Sequence, residues 1–250
     1  MYGELRRAVL EANLALVKHG LVVMTWGNAS AIDRRRGAVA IKPSGVPYEA
    51  MTAADIVVVD LAGRTLAGRR RPSSDLPTHL ALYRAWPAVG GIVHTHSAHA
   101  TMFAQANRAI PCLGTTHADH FHGPVPVTRA VSARETAADY EGHTGTVIVE
   151  RFARLEPRHV PAVLVACHGP FAWGADVRGA VANAVALEEV ARMALGTLQL
   201  APETAGLPAH LLARHFARKH GPNATYGQPP GTGERGNRGK EGEKKAEASY

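Results

Sequence analysis

The chain has very little cysteine. Two residues, Cys112 and Cys167, in 250 are too few for a disulfide framework. Two buried free thiols in a cytoplasmic protein are expected, with a single bridge between them left open. Long apolar runs are also missing. No stretch approaches the ~18 apolar residues that a membrane span needs. Residues 1–7 enter an amphipathic pattern with no long apolar run behind it, which argues against a signal peptide. The formal charge is +7, yet no nucleic-acid-binding motif of the usual kinds is present. Neither a membrane nor a nucleic acid is therefore an expected partner. The basic clusters Arg34-Arg35-Arg36 and Arg69-Arg70-Arg71 lie beside turn residues and suit either solvated loops or the steering of an anionic substrate.

What the chain does hold is histidine, fourteen in all, and enough apolar content, 46%, for the core of one ordinary domain. Helical spacing of Leu5, Val9, Ala12 and Leu16 predicts a first helix over 3–19, stopped by Gly20. Strands are expected at 21–24, 29–33, 38–41 and 56–60, and a short hairpin arm at 65–67. A helix opens near Leu76 and ends before Pro87. Ser132 and Glu135 form a capping box for another, running to about Tyr140 or Glu141, where Gly142 and Gly145 break it. Residues 146–150 then read as a strand, as do 161–167. The longest helix is expected from Asp176 or Arg178 to Leu198, and a last one from Pro208 to about His220. Residues 114–124 read as a long polar loop, too short for a helix. Residues 1–228 form the expected domain. From 229 to 250 Pro, Gly, Lys, Glu and Arg dominate, so a disordered charged tail is expected.

The chemistry centres on His94-Thr95-His96. On a strand, that spacing places both imidazoles on one face. His168 ends a second apolar run, and three neutral imidazoles converging from two strand ends are a known way to hold a catalytic zinc with one position open. Asp75 is the nearest carboxylate in motif logic, as a fourth ligand or a partner of one. Lys42-Pro43-Ser44-Gly45-Val46 is an irregular turn in which Gly45 lets backbone amides approach an anion; an ordinary turn remains the alternative. Ser73 and Ser74 stand at a helix start. They can cap it, or donate hydroxyls to a phosphate at the positive end of the helix dipole.

The segments Thr25-Trp-Gly-Asn28, Lys42-Pro-Ser-Gly-Val46, Pro72-Ser-Ser-Asp75, His94-Thr-His-Ser97, Gly114-Thr-Thr-His-Ala-Asp119, His168-Gly-Pro-Phe171, Lys219-His-Gly221 and Tyr226-Gly-Gln228 occur in that order. Together they resemble the L-ribulose-5-phosphate 4-epimerase branch of the class II aldolase and adducin family. The resemblance implies an α/β fold with a mostly antiparallel central sheet flanked by helices on both sides, assembled as a homotetramer with active sites at subunit interfaces. It implies a zinc ion, with another divalent metal such as Mn2+ as the alternative, on Asp75, His94, His96 and His168. It implies that Gly27, Asn28, Ser44, Gly45, Ser73, Ser74 and Asp75 bind a phosphorylated ketopentose. Asp119 and Tyr226 match the family's acid–base pair, brought in from a neighbouring subunit. The implied activity is interconversion of L-ribulose 5-phosphate and D-xylulose 5-phosphate, as in L-arabinose catabolism.

Family aldolases generally carry Glu where Asp75 stands, and related epimerases tend to carry aromatic residues where this chain has His120 and His122. A class II aldolase cleaving a sugar phosphate such as L-fuculose 1-phosphate is the alternative. A non-catalytic adducin-like module is the third, and such relatives are expected to lack the metal histidines.

Overall fold

The short β-branched runs assemble into one seven-stranded sheet in the computed structural model, which describes residues 1–222 with Ala224 and Thr225. The strands are β1 (Asn28–Asp33), β2 (Ala38–Ile41), β3 (Val57–Asp60), β4 (Thr65–Ala67), β5 (Gly91–His94), β6 (Ala162–Leu164) and β7 (Pro170–Gly174), in the order β4-β3-β2-β1-β5-β7-β6. Every neighbouring pair is antiparallel. The helices are α1 (Gly3–Lys18), α2 (Leu76–Ala85), α3 (Ala98–Gln105), α4 (Thr115–Ala118), α5 (Ala133–Arg151), α6 (Val177–Leu200) and α7 (Ala209–His220). The mostly antiparallel sheet flanked by helices is the architecture expected. Tyr226 and the tail from 229 on lie outside the described residues.

Side-chain alternation decides which helices cover which face. Ser30 bonds His79 and Tyr83 of α2, and Trp173 packs on Trp86 and Phe152 at the ends of α2 and α5. The row Ser30, Ile92, Trp173 therefore faces α2 and α5, and so does the next row, Asn28, His94, Phe171. On the opposite face Gly91 pairs with Gly174. A Cβ on Gly91 would lie 2.3 Å from Val177 Cα, and one on Gly174 would lie 2.6 Å from Ala180 N. The two glycines let the first turn of α6 rest directly on the sheet.

Several expectations are corrected. Residues 21–24 form a turn: Leu21 is buried, but Val23 and Met24 are exposed, and Met24 takes the left-handed backbone that reverses the chain between α1 and β1. Residues 146–150 belong to α5. Gly145 does not break the helix; it lets α5 lie against α2, where an added Cβ would stand 2.5 Å from that of Ala81. With Thr144, Val147 and Ile148 buried on the same face, packing outweighs β propensity. The strand expected over 161–167 ends at Leu164, and Pro170 to Gly174 form an edge-adjacent strand that the sequence did not announce. Residues 115–118 form one helical turn inside the expected loop. Cys112 is buried as expected, but Cys167 is exposed, and both thiols are free.

Two imidazoles are built deep into this fold. His79 is fully buried against Ser30, and burial pulls its pKa from 6.5 to about 3. Burial likewise pulls His117 from 6.5 to about 4, against the opposing pull of its bond to Gly123 O. Both are neutral when folded, whereas the unfolded chain takes up protons near pH 6.5. Their contribution to stability is present above that pH and is lost as the pH falls towards 4 and below, at on the order of 1 kcal/mol per unit each. The metal-free protein should unfold at clearly lower urea at pH 5 than at pH 7; equal midpoints would contradict neutral buried imidazoles.

Candidate active site

β5 ends at His94, so the His94/His96 pair does not share a strand as expected. His94 stacks on its cross-strand neighbour Phe171, centroids 4.2 Å apart, and its Nδ1 lies 3.0 Å from Pro170 O. A proton on Nδ1 satisfies that carbonyl and turns the Nε2 lone pair outwards. His96 follows in a loop, and its Nε2 comes within 3.2 Å of His94 Nε2. His168 is delivered by the turn between β6 and β7, not by a strand end; Cys167 before it takes φ +61°. One nitrogen from each of the three imidazoles lies within 4.8 Å of the others.

Burial, reinforced by the neighbouring imidazoles, pulls His168 down to about 4 and holds His96 below its ordinary value. These two rings are thus neutral at neutral pH, the state a metal needs. Converging neutral nitrogens of this kind fit a divalent metal ion.

Asp75 lies beside them. Burial would raise its carboxyl, but His94, His79 and the Asn28 amide together hold it below the usual carboxylate range. Its Oδ2 accepts from Asn28 Nδ2 at 2.6 Å. Asn28 Oδ1 is buried with no partner among the described residues. Ser73 Oγ lies 3.1 Å from Asn28 Nδ2. Neither serine caps α2: the N-cap position is Asp75, without a side-chain cap bond. Ser44, Gly45, Ser73 and Ser74 line the same cleft of about 430 Å³ as the imidazoles and Asp75. The cradle is closed by backbone bonds from Ser44 N to Arg71 O at 3.0 Å and from Ser73 N to Lys42 O at 2.9 Å. Gly45 turns the loop at φ +67°. Gly27 is needed for packing, since a Cβ there would stand 2.8 Å from His94 O.

Lys42 and Tyr140 were missed. Lys42 is buried in the cleft wall with its ammonium against two carbonyls, Val46 O at 3.0 Å and Pro43 O at 3.4 Å, and 4.7 Å over the Tyr48 ring. Desolvation lowers its pKa, and a phosphate would supply the missing countercharge. Tyr140 Oη lies 3.2 Å from His168 Nδ1. It enters the cleft because α5 kinks at Asp139, φ −163°, whose carboxylate accepts from Gly142 N and restarts the helix.

Asp119 is not brought to this cleft. Its carboxylate accepts from Arg218 Nη2 at 2.6 Å and Nε at 3.0 Å and lies 3.1 Å from His215 Nδ1. Burial opposes its ionisation, but Arg218 and His215 outweigh burial and hold it below its ordinary value. His120 lies 3.1 Å from Lys219 Nζ, and His122 packs on Phe216, so both belong to this α7 cluster.

The antiparallel sheet, the three-imidazole cluster and the serine-lined cleft together are those of a candidate metal-dependent enzyme of the class II aldolase fold. The chain belongs to the class II aldolase and adducin family: the model of the Class II Aldolase and Adducin N-terminal domain matches residues 7–195. It is 56% identical over 225 residues to L-ribulose-5-phosphate 4-epimerase UlaF of Salmonella paratyphi B, covering 90% of this chain and 99% of that protein. Among solved structures it resembles an L-fuculose 1-phosphate aldolase, with a TM-score of 0.73 and 24% identity over 86% of this chain and 95% of the other. It also resembles YgbL of Klebsiella pneumoniae, a putative aldolase/epimerase/decarboxylase, with a TM-score of 0.68 and 28% identity over 84% and 97%.

Proposed function

We propose that the protein is a zinc-dependent 4-epimerase interconverting L-ribulose 5-phosphate and D-xylulose 5-phosphate. The observation that carries this is the sharing of one cleft by His94, His96, His168, Asp75 and the serine cradle. The extensive identity to an L-ribulose-5-phosphate 4-epimerase points to the same substrate.

The hydrogen on C4 of a ketopentose phosphate is not acidic, so direct proton removal is a poor route to inversion. Cleavage of C3–C4 by a retro-aldol step is easier, because C3 departs conjugated with the C2 carbonyl. His94, His96 and His168, with Asp75 beside them, would hold a divalent metal, and that ion would supply Lewis-acid stabilisation of the charge that develops on cleavage. Ser44, Ser73, Ser74 and Lys42 hold the phosphate, so the glycolaldehyde phosphate fragment stays tethered while its aldehyde turns over. The bond then re-forms on the other face. Asn28 ties down the Asp75 carboxylate and helps hold it ionised, which disfavours Asp75 as the acid that would deliver a proton to the enediolate carbon.

Asp119 and Tyr226 are proposed to move the proton of the C4 oxygen, one on each face. Asp119 lies outside the cleft of its own chain, which supports a homotetramer in which a neighbour provides it. Free Cys112 and Cys167 accord with a cytoplasmic setting, and no helix of the described residues is long and apolar enough to cross a membrane.

Incubation of the zinc-loaded protein with L-ribulose 5-phosphate, followed by NMR, should show D-xylulose 5-phosphate accumulating to equilibrium. Free glycolaldehyde phosphate released at the full rate would instead make the protein an aldolase.

A further inference from the structure

We propose that Glu188, within α6, is a positioning residue for His96. Its carboxylate holds the N-terminus of α3 and, through it, the Thr95–Ser97 loop that completes the imidazole cluster. The proposal rests on the reading that this cluster binds a divalent metal.

His96 needs such an anchor. The ladder ends at His94, so no strand pairing fixes residue 96. Its ring is only partly covered, and its one polar contact among the described residues is His94 Nε2 at 3.2 Å. α3 begins two residues later, and its first N–H groups have no partner within the helix. Ser97 occupies the N-cap position but makes no side-chain cap bond there. Glu188 takes over that task from another helix. Its Oε1 accepts from His99 N at 2.9 Å and from His99 Nδ1 at 2.8 Å, and its Oε2 accepts from Ala100 N at 3.0 Å.

The Glu188 side chain is only 14% exposed, and a carboxylate at this position also meets the positive end of the helix dipole. Charge-assisted bonds to two successive backbone amides and one ring fix the direction in which α3 starts. The other side of the loop is closed by Gly169, where an added Cβ would stand 2.9 Å from Thr95 O and 3.4 Å from His96 Cδ2. The loop carrying His96 is thus clamped between the turn that carries His168 and the helix end that Glu188 holds. Glu189, the next residue, is exposed and pairs with Arg192 at 2.6 Å, the ordinary fate of a surface glutamate.

The test is zinc affinity by chelator competition, together with the visible spectrum of the Co2+-substituted protein, for wild type, Glu188→Ala, Glu188→Gln, Glu189→Gln and His96→Ala. Loss of a group that orients a ligand weakens metal binding by roughly 10–100-fold, the result expected for Glu188→Ala, with an altered Co2+ spectrum. Glu188→Gln keeps one acceptor oxygen and should lie between it and wild type, while Glu189→Gln should match wild type. If Glu188→Ala and Glu188→Gln bind zinc within about twofold of wild type and only melt earlier, the residue is a structural cap and the proposal falls. Should Glu188→Ala fail to fold, Glu188→Gln decides by the same criterion. Wild-type protein binding zinc no better than His96→Ala would overturn the metal reading itself, and this inference with it.

Discussion

His96→Ala is expected to purify without zinc and to lose activity by on the order of 10³-fold or more. A catalytic zinc site uses at least three protein ligands, and without His96 the cluster keeps only two imidazoles, with Asp75 beside them. The position also isolates the effect. His94 is buried, stacked on Phe171 and paired with Asn28 and Phe171 across three strands, so its removal would damage the sheet. His96 lies beyond the strand and is only partly covered, so its loss should leave the fold intact. Metal analysis after gel filtration and NMR turnover measure the two consequences separately. Unchanged zinc content in a folded His96→Ala protein would remove His96 from the ligand set.

Asp119→Asn should lower turnover by roughly 10²–10⁴-fold, the usual worth of a positioned proton-transfer group, while zinc content stays at the wild-type level. Asp119 is held ionised by Arg218 and His215, so at neutral pH the proposed group is a carboxylate able to accept a proton. It stands with α7, away from the cleft of its own chain. Dissociated Asp119→Asn and His96→Ala proteins, mixed and reassembled, should therefore recover activity well above either parent. Some sites in the mixture would combine an intact metal cluster from one chain with an intact Asp119 from another. No recovery after confirmed subunit exchange would place Asp119 outside the reaction.

Helices with local end signals were legible in the sequence. The Ser132/Glu135 capping box stands in the structure, as does the first helix, which ends at Lys18 shortly before Gly20, and the longest helix runs from Val177 to Leu200, between its two expected starts and just past its expected end. The misread stretches depend on distant partners. Thr146, Val147, Ile148 and Val149 carry β-branched side chains, yet they are helical because Gly145 lets α5 meet α2.

The three histidines could be singled out from spacing, but how they meet could not. His168 arrives on a turn through a left-handed Cys167, and His96 on a loop, neither of which follows from strand alternation. Lys42 follows the apolar run ending at Ile41 and reads as the first residue of an irregular turn, and only the fold buries it. Tyr140 needed the break at Asp139. The signal was present in Asp139 with Gly142 three residues on, masked by the stronger capping box upstream.

The wiring of His94 to Pro170 spans 76 residues of chain. On the ribosome, β1 is made first and His94 and His96 follow it, while the turn carrying His168 and the carbonyl that orients His94 are still to be made. A growing chain halted between residues 96 and 167 holds two of the three imidazoles and no complete cluster. On the proposed metal reading, tight capture waits until the His168 turn has been made and β7 has been added beside β5, so a metal-loaded chain would be one that has already joined these two strands.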